Sequence, residues 1–186
     1  MSHRSVDTDA VSAKRESILE EYKSLRTETL KCVEFRYQIF NFTLIVAGII
    51  LTTGISDKGP RAVLLLYPIL SFFLASAFVY NSILLVEIGS YIRDELERRD
   101  NLELRWANHF QHRYKGIAFF EIISTYGLFL STQILSILVY FNFSPELTGV
   151  PWVLFSFSLL AIILTIVVLL YPVAYHWGVL SKSNRG

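Results

Sequence analysis

The sequence predicts an all-α fold: a four-span transmembrane helical bundle with a helical cytoplasmic lobe. Three observations predict it. Hydrophobic residues make up 53% of the 186 residues and charged residues 18%, against about a quarter charged in a soluble domain. Four runs carry no Asp, Glu, Lys or Arg: twenty residues between Arg36 and Asp57, twenty-five between Arg61 and Glu87, twenty-four between Glu121 and Glu146, and thirty-five between Glu146 and Lys182. Each reaches the roughly 20 apolar residues that a membrane-spanning helix needs. Finally, the basic residues gather in three segments that a four-span topology places on one side. This composition excludes a soluble enzyme, a disordered chain and a small disulfide scaffold.

Residues 1–34 are expected to form a cytoplasmic N-terminal helix that turns helical from about Thr8, with residues 1–9 loose and Asp7 or Asp9 as caps. Val11, Ile18, Leu25 and Cys32 recur every seven residues, with Tyr22 and Thr29 between them. They make a narrow apolar stripe on a charged helix. The stretch lacks the apolar core of a signal peptide, so the first span is expected to act as an uncleaved insertion signal.

Residues 35–86 hold spans one and two, about Phe35–Ile55 and Ala62–Val86. Gly54 and then Ser56-Asp57-Lys58-Gly59-Pro60 read as the tight turn between them. Residues 87–115 form a cytoplasmic helical connection. Ile88, Ile92 and Leu96 continue span two at four-residue spacing, Asp100-Asn101 marks a break, and Leu102, Trp106, Phe110 and Tyr114 resume the same spacing. Residues 116–177 hold spans three and four, about Gly116–Phe141 and Trp152–Trp177. Residues 178–186 are a cytoplasmic tail.

Orientation follows from Lys and Arg alone. Residues 1–36 carry seven, residues 87–115 six and the tail two, whereas the other side has only Lys58 and Arg61. Both termini and the central connection are therefore expected in the cytoplasm. Tyr67, Tyr140, Phe141 and Trp152 are expected at the outer interface, and Tyr37, Tyr91, Tyr175 and Trp177 at the inner one.

Candidate functional residues are few. Charge inside a span is the usual pointer to an ion or substrate path, and Glu121 is the one candidate. It lies five residues after Gly116, about 7 Å inside the boundary, where Arg36, Lys115 or His176 offers a partner. Ser124, Thr125, Ser131, Thr132, Gln133 and Ser136 make span three the most polar. It is expected to face a pore or the bundle interior, where such side chains bind helices together. Ile88, Ile92, Leu96, Trp106 and Phe110 are expected to pack on the N-terminal stripe or to dock a partner. His109 and His112, with Glu103, fall short of the four ligands of a closed zinc site. No phosphate-binding, dinucleotide-binding or hydrolase motif is present. No metal, cofactor or catalytic residue is expected. The net charge of +1 offers nucleic acid no field.

The stretch Glu87-Ile-Gly-Ser-Tyr-Ile-Arg-Asp-Glu-Leu-Glu-Arg-Arg99, set directly after a span and followed by Trp106, resembles a diffuse group of small, uncharacterised bacterial four-span membrane proteins. That likeness covers residues 62–110. In size and layout the chain is also similar to membrane effectors or accessory subunits of prokaryotic anti-phage systems. These resemblances imply a multi-pass protein of the bacterial inner (plasma) membrane and a defence or stress effector. The expected function is non-enzymatic: a homo-oligomer in the lipid bilayer whose cytoplasmic lobe senses or docks a protein partner. Its output would be altered permeability or recruitment of that partner. The alternative is a small ion channel or transporter acting by itself.

Overall fold

The computed structural model describes the backbone of residues 3–56, 59–92, 95, 106–144 and 149–183, and the side chains of residues 12–56, 59–92, 95, 123–144 and 149–171. The described residues are all-helical. The helices are α1 (His3–Ile55), a 3-10 segment (Arg61–Leu66), α2 (Tyr67–Tyr91), α3 (Trp106–Phe143) and α4 (Val150–Ser183). Four stretches are long and apolar enough to cross a membrane: Ser12–Ile55, Arg61–Tyr91, Ile123–Phe143 and Val150–Tyr171.

Two expected segment boundaries, 34/35 and 115/116, fall inside continuous helices. The N-terminal helix begins at His3 rather than near Thr8, and with span one it forms a single 53-residue helix, about 80 Å long at ~1.5 Å per residue. Residues 106–115 likewise run without interruption into span three as a 38-residue helix. The reason is local. Residues 3–47 contain neither Gly nor Pro, and α3 contains no Pro. Charge changes along these helices, but nothing breaks their hydrogen-bond ladder. At the other end, α4 continues past Trp177 to Ser183, so part of the expected tail is helical.

Span two opens differently from the sequence reading. Its first six residues are 3-10 rather than α, and Pro68 stands in the first turn of α2, where a missing N–H costs nothing. The 3-10 segment sits tight against α1. A Cβ on Gly54 would lie 2.3 Å from Leu64 Cγ, and one on Gly59 would lie 1.9 Å from the Thr53 carbonyl oxygen. Glycine at 54 and 59 is therefore a steric requirement of the turn.

The core is layered. One layer joins Ala47, Ile50, Leu64, Leu65, Tyr67 and Tyr140. The next joins Ile39, Ala75, Phe78, Val79, Phe129 and Leu169. A third, smaller layer is Cys32, Ile88 and Ile92, packed by Ile18, Tyr22 and Leu25. Of the aromatics expected at an interface, Tyr67 is 1% exposed and Tyr140 2%, both packed between helices. Trp152, Tyr37 and Tyr91 lie on the exposed surface.

Candidate functional site

A belt of polar side chains fills the space between the two larger layers. Thr43 of α1, Ser71 of α2, Gln133 and Ser136 of α3, and Ser158 and Thr165 of α4 are all 0% exposed. Gln133 is its hub. Its Nε2 donates to Ser71 Oγ at 2.9 Å and to Thr165 Oγ1 at 3.1 Å, so one amide ties α3 to both α2 and α4. Thr165 passes its own proton back to the Ala161 carbonyl at 2.7 Å, and Thr43 does the same to Ile39 at 2.8 Å. Gln133 Oε1 is buried with no hydrogen-bond partner among the described residues.

Hydroxyls also hold the 3-10 segment. Ser136 Oγ donates to the Leu64 carbonyl and Ser158 Oγ to the Leu65 carbonyl. These carbonyls lie where the backbone passes from 3-10 to α, and the hydroxyls supply acceptors there with donors. Apolar surroundings make an unmet backbone group cost several kcal/mol. One turn on, Tyr67 donates its hydroxyl proton to Thr132 Oγ1 at 2.8 Å. Arg61 reaches across to the Phe143 carbonyl and closes the same end of the bundle.

The polar residues of α3 are therefore divided. Gln133 and Ser136 are fully buried, Thr125 is 7% exposed and Thr132 is half-buried. Ser124 and Ser131 lie on the exposed face, because the helical period carries adjacent positions about 100° apart. Glu121 precedes Phe129 by eight residues in α3, about 12 Å. Its side chain lies outside the described residues.

Ile88 is 6% exposed and Ile92 4%. Both pack with Cys32 against Ile18, Tyr22 and Leu25, and the Tyr91 hydroxyl donates to Glu21 Oε1 at 2.8 Å. Burial, and then the nearby Glu28 carboxylate, push the Cys32 thiol up from its ordinary range. Leu96 and the side chains of Trp106, Phe110, His109 and His112 lie outside the described residues.

Sequence reasoning offered Arg36 only as a partner for Glu121 and missed its packing on α2. Its guanidinium carbon stands 4.6 Å from the centroid of the Phe78 ring. Phe78 lies nine residues before Glu87 in α2, so Arg36 meets α2 about 13 Å inside the charge that ends its apolar run. The uncharged runs differ by five residues, twenty against twenty-five, and that mismatch was the available signal. Beside this stagger an open groove of about 640 Å³ runs between α1 and α2, with Lys31, Cys32 and Phe35 on one wall and Ala77, Tyr80 and Asn81 on the other.

The geometry holds helices together and sets the half-buried Arg36 over the Phe78 ring. No protein-family model matches the chain, and no curated protein or solved structure matches it either.

Proposed function

We propose a non-enzymatic, self-associating membrane protein whose charged portion, residues 1–34 and 87–115, docks a protein partner in the cytoplasm. The bundle then passes that event on as altered permeability, or holds the partner at the membrane. The observation that carries this reading is the continuity of α1 from His3 to Ile55. A helix with no break between its charged half and its apolar half transmits a displacement of one to the other. The packing of Ile88 and Ile92 on the α1 stripe couples α2 to the same lever.

The polar belt supports this reading over a channel acting alone. Gln133, Ser136 and Ser158 donate to neighbouring helices, Thr43 and Thr165 donate within their own, and an apolar layer lies on either side of the belt. The likeness in layout to membrane subunits of anti-phage systems supplies a setting, that of a bacterial defence or stress effector. Reconstitution tests the reading. Purified protein in liposomes should pass no ions on its own. Steady flux without any added partner would replace this reading with the small channel.

A further inference from the structure

We propose that the outer face of α1 is a helix–helix seam for a second copy of this chain, with Asn41 pairing with the Asn41 of that copy. The inference deepens the self-association reading and rests on it. Glu34, Gln38, Asn41, Ile45, Gly48 and Thr52 are all exposed in the single chain, on the side of α1 opposite Ile39, Thr43, Ala47 and Ile50. Their spacing is four, three, four, three and four, a heptad seam of the kind that winds two helices together.

What the face carries argues against lipid as its cover. Asn41 follows Ile39 and precedes Ala47, so it lies between the two packed layers, five residues inside Arg36 along α1. Its carboxamide makes no hydrogen bond among the described residues. Hydrocarbon supplies neither donor nor acceptor, and a polar group left unmet there costs several kcal/mol. Thr52 resolves the same problem internally, donating to the Gly48 carbonyl at 2.7 Å; Asn41 does not.

A second copy meets the need by symmetry. An amide both donates and accepts, so two Asn41 side chains across a twofold axis satisfy each other. Copies inserted in one orientation bring equal depths together, which makes the pair parallel and in register. A single Asn at such a seam fixes register and favours two strands. Gly48 then lets the backbones approach. It meets nothing within 4 Å of an added Cβ in the single chain, so its lack of a side chain serves no contact within one copy.

Cysteine crosslinking in native membranes tests the seam in a Cys32→Ala background. Ile45→Cys and Thr52→Cys should each give an oxidised dimer, and Ile163→Cys, on the exposed face of α4, should stay monomeric. Asn41→Leu and Gly48→Ile should each keep the monomer folded and weaken the dimer about tenfold, read by dilution in detergent. A dimer that crosslinks through Ile163 but not through the seam, or that ignores both substitutions, overturns the seam and leaves self-association standing. A monomer at every position overturns both.

Discussion

Gln133 shows at one residue how this bundle is held. Its amide hydrogens bond two helices while its carbonyl oxygen lies buried without a partner among the described residues. Replacement by Leu keeps the volume, loses two interhelical bonds of about 0.6 kcal/mol each, and removes the orphaned oxygen, so the net cost should stay near 1 kcal/mol. Replacement by Ala leaves a cavity and should cost about 2–5 kcal/mol. Thermal denaturation in detergent separates them, and Ala no worse than Leu would remove the packing argument. Arg36 makes a second residue-scale case. Its contact with Phe78 should appear in a double-mutant cycle of Arg36→Met with Phe78→Leu as a coupling of about 0.5–2 kcal/mol. The raised Cys32 thiol predicts a pH dependence. The thiolate is the reactive species, so alkylation of the folded protein should be slow at neutral pH and should set in at higher pH than for a free cysteine. Equal pH profiles for the folded and the denatured protein would contradict the burial of that thiol.

At the scale of elements, the 3-10 segment is the most constrained. It presses Leu64 onto Gly54 and takes one hydroxyl from α3 and another from α4. Gly54→Ala drives a methyl group into a packed side chain and should cost about 1–3 kcal/mol. Ser136→Ala and Ser158→Ala act on different carbonyls from different helices. Their effects, each about 0.6–2 kcal/mol, should therefore add in the double variant. A double variant as stable as either single one would mean that the segment relaxes into regular α-helix, with no need of the hydroxyls. The long helices give the complementary lesson. Where no Gly or Pro intervenes, α1 carries its ladder through a change from charged to apolar composition.

For the whole molecule, the distribution of charge sets the topology to be tested. Fifteen basic residues against two predict both termini and the central connection on the cytoplasmic side. Reporter fusions at residue 5, in the 57–59 turn, at 101, at 147 and after 186 should read inside, outside, inside, outside, inside. An external reading at 101 would reverse the assignment of the docking face and undo the function proposed for it. The same arrangement keeps all copies parallel, on which the Asn41 seam depends.

The sequence by itself determined the helical class, the number of apolar helices and the turn after Gly54, because twenty or more uncharged residues in a row and a Gly-Pro pair are local facts. It also marked the stripe of Ile18, Leu25 and Cys32, because heptad spacing is visible in one dimension. Only the tertiary structure decided where the polar residues of span three go. Composition counts Ser131 and Gln133 alike, yet neighbouring helices bury one and leave the other outside. Nothing in the sequence of span two shows that the Tyr67 hydroxyl donates to Thr132 on another helix. The depth of Arg36 was hidden for the same reason. A helix's own sequence says where its charges stop, and the stagger against its neighbour, set here by Phe78 and Ile39 in one packed layer, says how deep those charges lie.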